Sequence, residues 1–326
     1  MIDKSMRKTT HRRIIFKIVG AIFGVGVALA ILCGLMVSSN SPLFNAFVVG
    51  KYLTTWGHSA FPGGEGWLFF RQDLRVILKP WFHMRNNLER IAALNDTLNK
   101  SGIKLLFVPV PDKESIIQTY SPCRVDNVSN QRSRMIKMLR ERNIDIIDCA
   151  PIFMAMKSKD ALYQKKDTHW DGNGIVIAAK LISDEINLLL RWEGGEGEVK
   201  RYSFKDTIVL KSGDLAEHLG DTSLYPKACR IITAQDGSPF KDSVWSDIMI
   251  FGDSFCMENR AFGGDIGAQI AYFINRPTFT IAHLDPYFGS GLNAPSHILT
   301  FLNNRRKYPK VIVWVMTSRD FCDKIY

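Results

Sequence analysis

Ile248-Met249-Ile250-Phe251 is an apolar run that ends in Gly252-Asp253-Ser254-Phe255, with a helix-like segment after it. A strand that stops in this way sets a serine at the carboxyl edge of an open α/β sheet, where such sheets bind ligands. It also demands partners, because a strand apolar on both faces must be covered on both. The chain supplies them. Lys104–Val110 (KLLFVPV), Ile144–Asp148, Thr278–Ala282 and Val311–Met316 read as further strands, and Gly66–Phe70 as a short one after the turn cluster Pro62–Gly66. Between them, Leu88, Ile91, Ala92, Leu94 and Leu98 recur at helical spacing in Asn86–Lys100, with Gly102 as the stop. Gln131–Arg142 reads as a basic helix and Ile175–Leu190 as a strongly apolar one. Strands alternating with helices predict a doubly wound, mostly parallel sheet of the α/β class. Trp192–Gly197 (WEGGEG) breaks the pattern, and residues of about 192–247 read as an insertion or lid, with strand-like pieces at Ile208–Leu210 and Arg230–Thr233.

Ahead of that sheet stands a different solvent problem. Ile18–Val37 is an unbroken apolar run, and about 20 such residues span a bilayer core as one helix. Residues 1–17 hold six basic side chains against Asp3, half of the formal charge of +10. That flank predicts a cytoplasmic tail (1–17), a transmembrane anchor (18–37), a connector (38–62) and an exported domain (63–326). A cleaved signal peptide is the competing reading, with Val37-Ser38-Ser39 as its cleavage site. No basic tract with interleaved aromatics supports nucleic-acid binding. Five of the six cysteines fall in the exported part, where disulfides persist. Cys256 reads as free, and Cys123–Cys149 with Cys229–Cys322 is one pairing among several. No cysteine–histidine spacing suits zinc, and no metal or cofactor is expected.

A serine needs a base to become a nucleophile. Asp167-Thr168-His169-Trp170 offers one upstream. His169 would take the Ser254 proton, and Asp167 would fix the imidazole tautomer. An aspartate two residues before a histidine can reach its Nδ1 locally. Taken alone, Gly-Asp-Ser is an ordinary turn tripeptide, and Asp-x-His also suits a metal pair. Asp171 suits a helix cap from Gly172 onward. The combination of strand-Gly-Asp-Ser with Asp-x-His before a helix points to acyl transfer.

Five elements in order then give a resemblance. Gly66-Trp67-Leu68-Phe69, Val108-Pro109-Val110-Pro111-Asp112-Lys113, Asp167-Thr168-His169-Trp170, Gly252-Asp253-Ser254-Phe255 and, in weakened form, Val313-Trp314 through Arg319 resemble the blocks of the AlgJ/AlgX family of SGNH hydrolase-like polysaccharide O-acetyltransferases, known from alginate acetylation. In that family the Asp/His pair precedes the serine, as here. The resemblance implies a triad of Ser254, His169 and Asp167. By the same carry-over, Lys113 and Arg319 would line the site, unless they serve as surface or structural ion pairs. Trp170 reads as a packing residue or a sugar platform. Val315 stands where the family has Glu, and Cys256 where a small polar residue is common.

What the resemblance implies is acetyl transfer onto hydroxyls of an exported polysaccharide through an acetyl-enzyme on Ser254. It also implies a multi-spanning membrane acyltransferase as acetyl donor, an inner-membrane location and a periplasmic catalytic domain. A carbohydrate acetylesterase with the same triad, or a non-catalytic polysaccharide-binding assembly subunit, are the alternatives. A cover over the acyl-enzyme is expected from the region after Trp192. Trp245, Tyr287 and Phe288 are expected as groove aromatics.

Overall fold

In the computed structural model, residues 49–50, 52–53, 59–74, 81–121, 126–156, 161–191, 201–282, 294–305 and 307–321 are described. The Ile18–Val37 run, the tail before it and Trp192–Gly197 lie outside them. Among the described residues no helix is long and apolar enough to cross a membrane.

The first strands of the described residues are a small antiparallel pair, β1 (Ala60–Pro62) and β2 (Leu68–Phe70). Helix α1 (Trp81–Lys100) leads into β3 (Lys104–Val110), through Gly102 at φ +72°. Then come α2 (Lys113–Ile116), α3 (Asp126–Arg140), β4 (Asp145–Ile146), α4 (Ala150–Ala155) and α5 (Gly172–Leu190). Asp171 caps α5 by accepting from the Gly172 N–H, as the sequence predicts. A hairpin of β5 (Tyr202–Lys211) and β6 (Tyr225–Ala234) follows, with the short α6 (Asp214–Glu217) at its tip. The rest is β7 (Ile248–Gly252), α7 (Ile266–Ile274), β8 (Phe279–Ala282), α8 (Ala294–Asn303), β9 (Val311–Thr317) and α9 (Ser318–Phe321).

The predicted buried strands form one sheet, ordered β4-β3-β9-β7-β8 and parallel throughout. Leu105–Val110, Ile248–Gly252 and Val311–Thr317 are buried without interruption, so both faces are covered. That is why these strands read as continuous apolar runs rather than alternating ones. Helix α1 packs on β3, and α8 meets both α1 and β7. Helix α5 packs against α7 and β6. The edge strand β4 keeps two residues of the expected five.

The main departure is the hairpin. Its strands are ten residues each, in register from Tyr202↔Ala234 to Lys211↔Tyr225, whereas the sequence suggests only short pieces. Most side chains of β5 are exposed or half-exposed, so no buried alternation marks it. Its strands are also joined by a helical segment rather than by a tight-turn pair, so the usual hairpin signal is missing.

Cysteine pairing is a second departure. Cys149, Cys229 and Cys256 are free and buried. Neither Cys149 nor Cys229 is in the bridge expected for it, and their expected partners, Cys123 and Cys322, lie outside the described residues. Cys149 immediately precedes α4, at 0 % exposure, and packs as a small apolar group.

Candidate active site

The last residue of β7, Gly252, is a glycine for a steric reason. A Cβ there would run into the Val315 carbonyl of the neighbouring β9 and into Cys256 Sγ. Asp253 then closes the turn. One of its carboxylate oxygens accepts the Phe255 N–H at 2.9 Å, and the other accepts the Thr317 N–H at 3.0 Å. Asp253 is thus a structural clasp between the ends of β7 and β9, and it leaves Ser254 at the carboxyl edge of the sheet. The helix-like segment expected after Ser254 starts as a three-residue 3₁₀ turn, Ser254–Cys256. Asn259, at φ +63°, turns the chain before a helix can grow, and α7 begins only at Ile266.

His169 comes from a loop pinned at its base. Tyr163 bridges Trp170, the Asp171 N–H donates to Leu162 O at 2.9 Å, and the Gln164 side chain donates to Trp170 O at 2.9 Å. His169 Nε2 lies 2.8 Å from Ser254 Oγ, and Nδ1 lies 2.6 Å from Asp167 Oδ1. The same oxygen accepts the His169 backbone N–H at 3.0 Å. Serine, imidazole and carboxylate therefore form one hydrogen-bonded chain, with the local Asp-x-His reach expected from the sequence.

Four charged residues that the sequence does not single out surround this chain. Asp167 Oδ2 accepts Lys227 Nζ at 3.0 Å and the Asp214 N–H at 3.2 Å. Asp214 holds the Thr168 N–H and hydroxyl, and its Oδ2 is 3.7 Å from His169 Nδ1. Glu258 Oε2 is 4.0 Å from the same nitrogen and takes Lys211 Nζ at 2.6 Å. No motif or spacing marks these residues, because three of them arrive on the hairpin.

The electrostatics follow from burial and these partners. Burial alone pushes the Asp167 carboxyl up, but the His169 charge and hydrogen bond, then Lys227, outweigh it and hold it well below the usual carboxylate range. Burial pushes the His169 imidazole down; Asp167, then Asp214 and Glu258, reverse that and raise it above its ordinary value. Asp214 is raised by burial and by the charge of Asp167. Asp167, His169 and Asp214 bring possible metal-ligand atoms within 4.8 Å of one another. However, an ammonium already occupies Asp167 Oδ2, and Thr168 donates to both Asp214 oxygens.

The expected lining residues are placed differently. Lys113 is buried; its Nζ donates to Leu68 O at 2.6 Å, Asp167 O at 2.8 Å and Lys165 O at 3.4 Å. It ties the Gly-Trp-Leu-Phe, Pro-Asp-Lys and Asp-Thr-His-Trp segments together from behind. Burial lowers its pKa to about 8 against the pull of Glu114 and Asp167. Arg319 pairs with Asp73 at 3.0 Å and lies over the Phe70 and Phe255 rings. Trp170 is fully buried, with its indole N–H on Phe255 O at 3.1 Å, so it packs and offers no sugar platform. Trp245 is exposed but precedes β7, at the edge of the sheet opposite Ser254. Tyr287 and Phe288 lie outside the described residues.

Residues 60–273 match the model of a protein family described as an SGNH hydrolase-like domain, acetyltransferase AlgX. The chain belongs to this family. Within it, the probable alginate O-acetylase AlgJ of Pseudomonas putida is 25% identical over 164 residues, which are 49% of this chain and 40% of that protein. The chain thus spans less than half the length of that curated relative. Among solved structures, the O-acetyltransferase domain of Pseudomonas putida AlgJ superposes with a TM-score of 0.64 at 19% identity, covering 82% of this chain and 93% of that one. Pseudomonas aeruginosa AlgX gives 0.59 at 20% identity, covering 84% and 65%. These likenesses show that the AlgX-family chain shares the SGNH-like α/β fold.

Proposed function

We propose that this protein is a serine-dependent O-acetyltransferase that places acetyl groups on hydroxyls of an exported polysaccharide. The observation that carries this reading is the hydrogen-bonded Ser254–His169–Asp167 chain at the carboxyl edge of the parallel sheet. In the first half-reaction Ser254 Oγ attacks the acetyl carbonyl while its proton passes to His169 Nε2. Asp167 stabilises the imidazolium and keeps the ring oriented. The tetrahedral intermediate collapses, the donor's leaving oxygen takes the proton from His169, and acetyl-Ser254 remains. In the second half-reaction a sugar hydroxyl gives its proton to His169 and attacks the acetyl carbon, and Ser254 regains a proton as the ester departs. The Ser254 backbone N–H is the proposed first oxyanion donor; one such donor is worth roughly 2.7–4 kcal/mol.

Asp167, His169 and Ser254 are the proposed catalytic residues. Lys113, Arg319 and Trp170 support them rather than touch the sugar. The apolar run Ile18–Val37 and its basic flank support a single inner-membrane span with the catalytic domain on the periplasmic side. That geometry suits an acetyl group handed over by a membrane acyltransferase.

The test is mass spectrometry. An activated acetyl ester should label wild-type protein on Ser254 and leave Ser254→Ala unlabelled, and oligosaccharide of the correct polymer should divert the acetyl group onto sugar. Equal labelling of Ser254→Ala removes the nucleophile assignment. Rapid release of acetate, with no acetylated sugar across a panel of exported-polymer fragments, makes the protein an esterase instead.

A further inference from the structure

Three carboxylates approach one imidazole. Asp167 bonds His169 Nδ1 at 2.6 Å, Asp214 stands at 3.7 Å and Glu258 at 4.0 Å. Unopposed, three negative charges would hold the ring protonated, and a protonated imidazole accepts nothing from a serine. Two of the three are paired with lysines. Lys227 Nζ, itself 3 % exposed, sits 3.0 Å from Asp167 Oδ2, and Lys211 Nζ sits 2.6 Å from Glu258 Oε2.

Both lysines come from the same face of the hairpin. Lys211 faces Tyr225 across the strands, and Val209 faces Lys227. Residues two apart share a face, so the two ammoniums are diagonal neighbours aimed at one target. The hairpin tip is held against the His169 loop: the Ala216 N–H donates to Lys166 O at 3.1 Å, the Asp214 N–H donates to Asp167, and Lys227 also donates to Ser212 O at 2.7 Å. Gly213 packs so closely on the Lys166 carbonyl that a Cβ would collide with it. This part of the expected lid region is fixed to the site.

We propose that the β5–β6 hairpin is a charge-balancing arm of the active site: Lys227 and Lys211 offset Asp167 and Glu258, so that His169 stays free to accept the Ser254 proton. The two lysines are positioning residues, since they act through the carboxylates and touch no reacting atom. The proposal rests on the reading of His169 as the base. The other groups around the ring are Thr168 on its own loop, the Ser254 hydroxyl and the Phe255 ring, with Arg319 beyond that ring. Behind these lie the Asp253 clasp, Asp171 near Lys227 and Glu258, and Lys113 on the Asp167 carbonyl. None of them neutralises Asp167 Oδ2 or Glu258 Oε2 directly.

The experiment is an NMR titration of the His169 ring in full-chain Ser254→Ala protein, with the resonance assigned by its loss in His169→Gln. Lys227→Met and Lys211→Met each remove a cation while keeping the apolar stem. Each should raise the His169 pKa by about one to two units, the scale of a charge about 6–12 Å away at an effective dielectric of about 20. Lys227→Arg should stay near the parent. With Ser254 restored, the acid limb of acetyl-enzyme formation should move to higher pH by the same amount. A purely structural role would lower activity without moving the limb. A His169 pKa unmoved or lowered in the methionine variants overturns the proposal. Lys211 is 38% exposed, so Lys211→Met decides the matter should Lys227→Met fail to fold. The titration uses no turnover, so its outcome is independent of Ser254→Ala labelling, on which the proposed function stands or falls.

Discussion

Gly252→Ala tests the steric logic of the Gly-Asp-Ser turn. The added Cβ would meet the Val315 carbonyl oxygen and Cys256 Sγ closer than 3.0 Å, a separation real Cβ atoms do not show. The sulfur sits on a side chain that can turn. The carbonyl belongs to the central strand β9, in register with Gly252, and cannot. Overpacking of this kind costs typically 1–3 kcal/mol, and a backbone wall places Gly252→Ala near the upper end, about 3 kcal/mol. The easiest relief is a shift of the end of β7, which carries Asp253 and Ser254 with it. A displacement of about 1 Å stretches the 2.8 Å contact between Ser254 and His169 and should lower acetyl-enzyme formation by about 10²-fold. Denaturant melts and stopped-flow labelling with an activated acetyl ester read the two effects. Cys256→Ala and the double variant separate the walls. The double variant should recover only the sulfur's share of the loss. Should it match Cys256→Ala alone in stability and rate, the Val315 carbonyl is no wall and the reasoning fails.

Two further outcomes follow from the site. Lys113→Met removes the ammonium donor from two buried carbonyls, Leu68 O and Asp167 O; at about 1–3 kcal/mol per lost buried partner, calorimetry should show a marked fall in melting temperature. Because one of those carbonyls belongs to Asp167, labelling of the folded fraction should fall as well, and an unchanged rate would reduce Lys113 to a staple. The pH profile of labelling should have its acid limb above about pH 6.5: burial pulls the imidazole down, but Asp167, then Asp214 and Glu258, raise it. The neutral ring is the active base, so activity should be gained as pH rises through that raised value, and a limb well below 6 would contradict it.

The sheet was legible because its three central strands are buried on both faces. KLLFVPV needs no neighbour to be recognised, and β3 begins and ends where that run does. The Ser254–His169–Asp167 arrangement was legible for a different reason: Asp167 and His169 are two residues apart and meet locally, while Ser254 is marked by the end of a strand. The charges around them were not. Lys227 and Lys211 lie on strands whose side chains are mostly half-exposed or exposed, and a lysine in such a strand reads as a solvated residue. Only the pairing of β5 with β6, and the docking of their tip on the His169 loop, turns both lysines inward. Lys113 misled in the opposite sense, since a charge inside a motif suggests contact with a ligand. Its role is to satisfy the buried Leu68 and Asp167 backbone oxygens, and it shares the Lys165 oxygen with the Leu68 N–H.

The place of β9 bears on how the protein is made. It is the last strand of the described residues in chain order, yet it lies in the middle of the sheet, between β3 and β7. A chain growing from its N terminus therefore holds β3 and β7 as unpaired edges until residues 311–317 emerge, some two hundred residues after β3. Only then does the Thr317 N–H reach Asp253, and the Ser318 hydroxyl reach Val110 O at 2.7 Å. Closure over such separations is slow, and open strand edges invite aggregation in the interval. A nascent chain would carry Ser254 and His169 without the clasp that aligns them, so competence for acyl transfer would arrive in the same step as completion of the sheet.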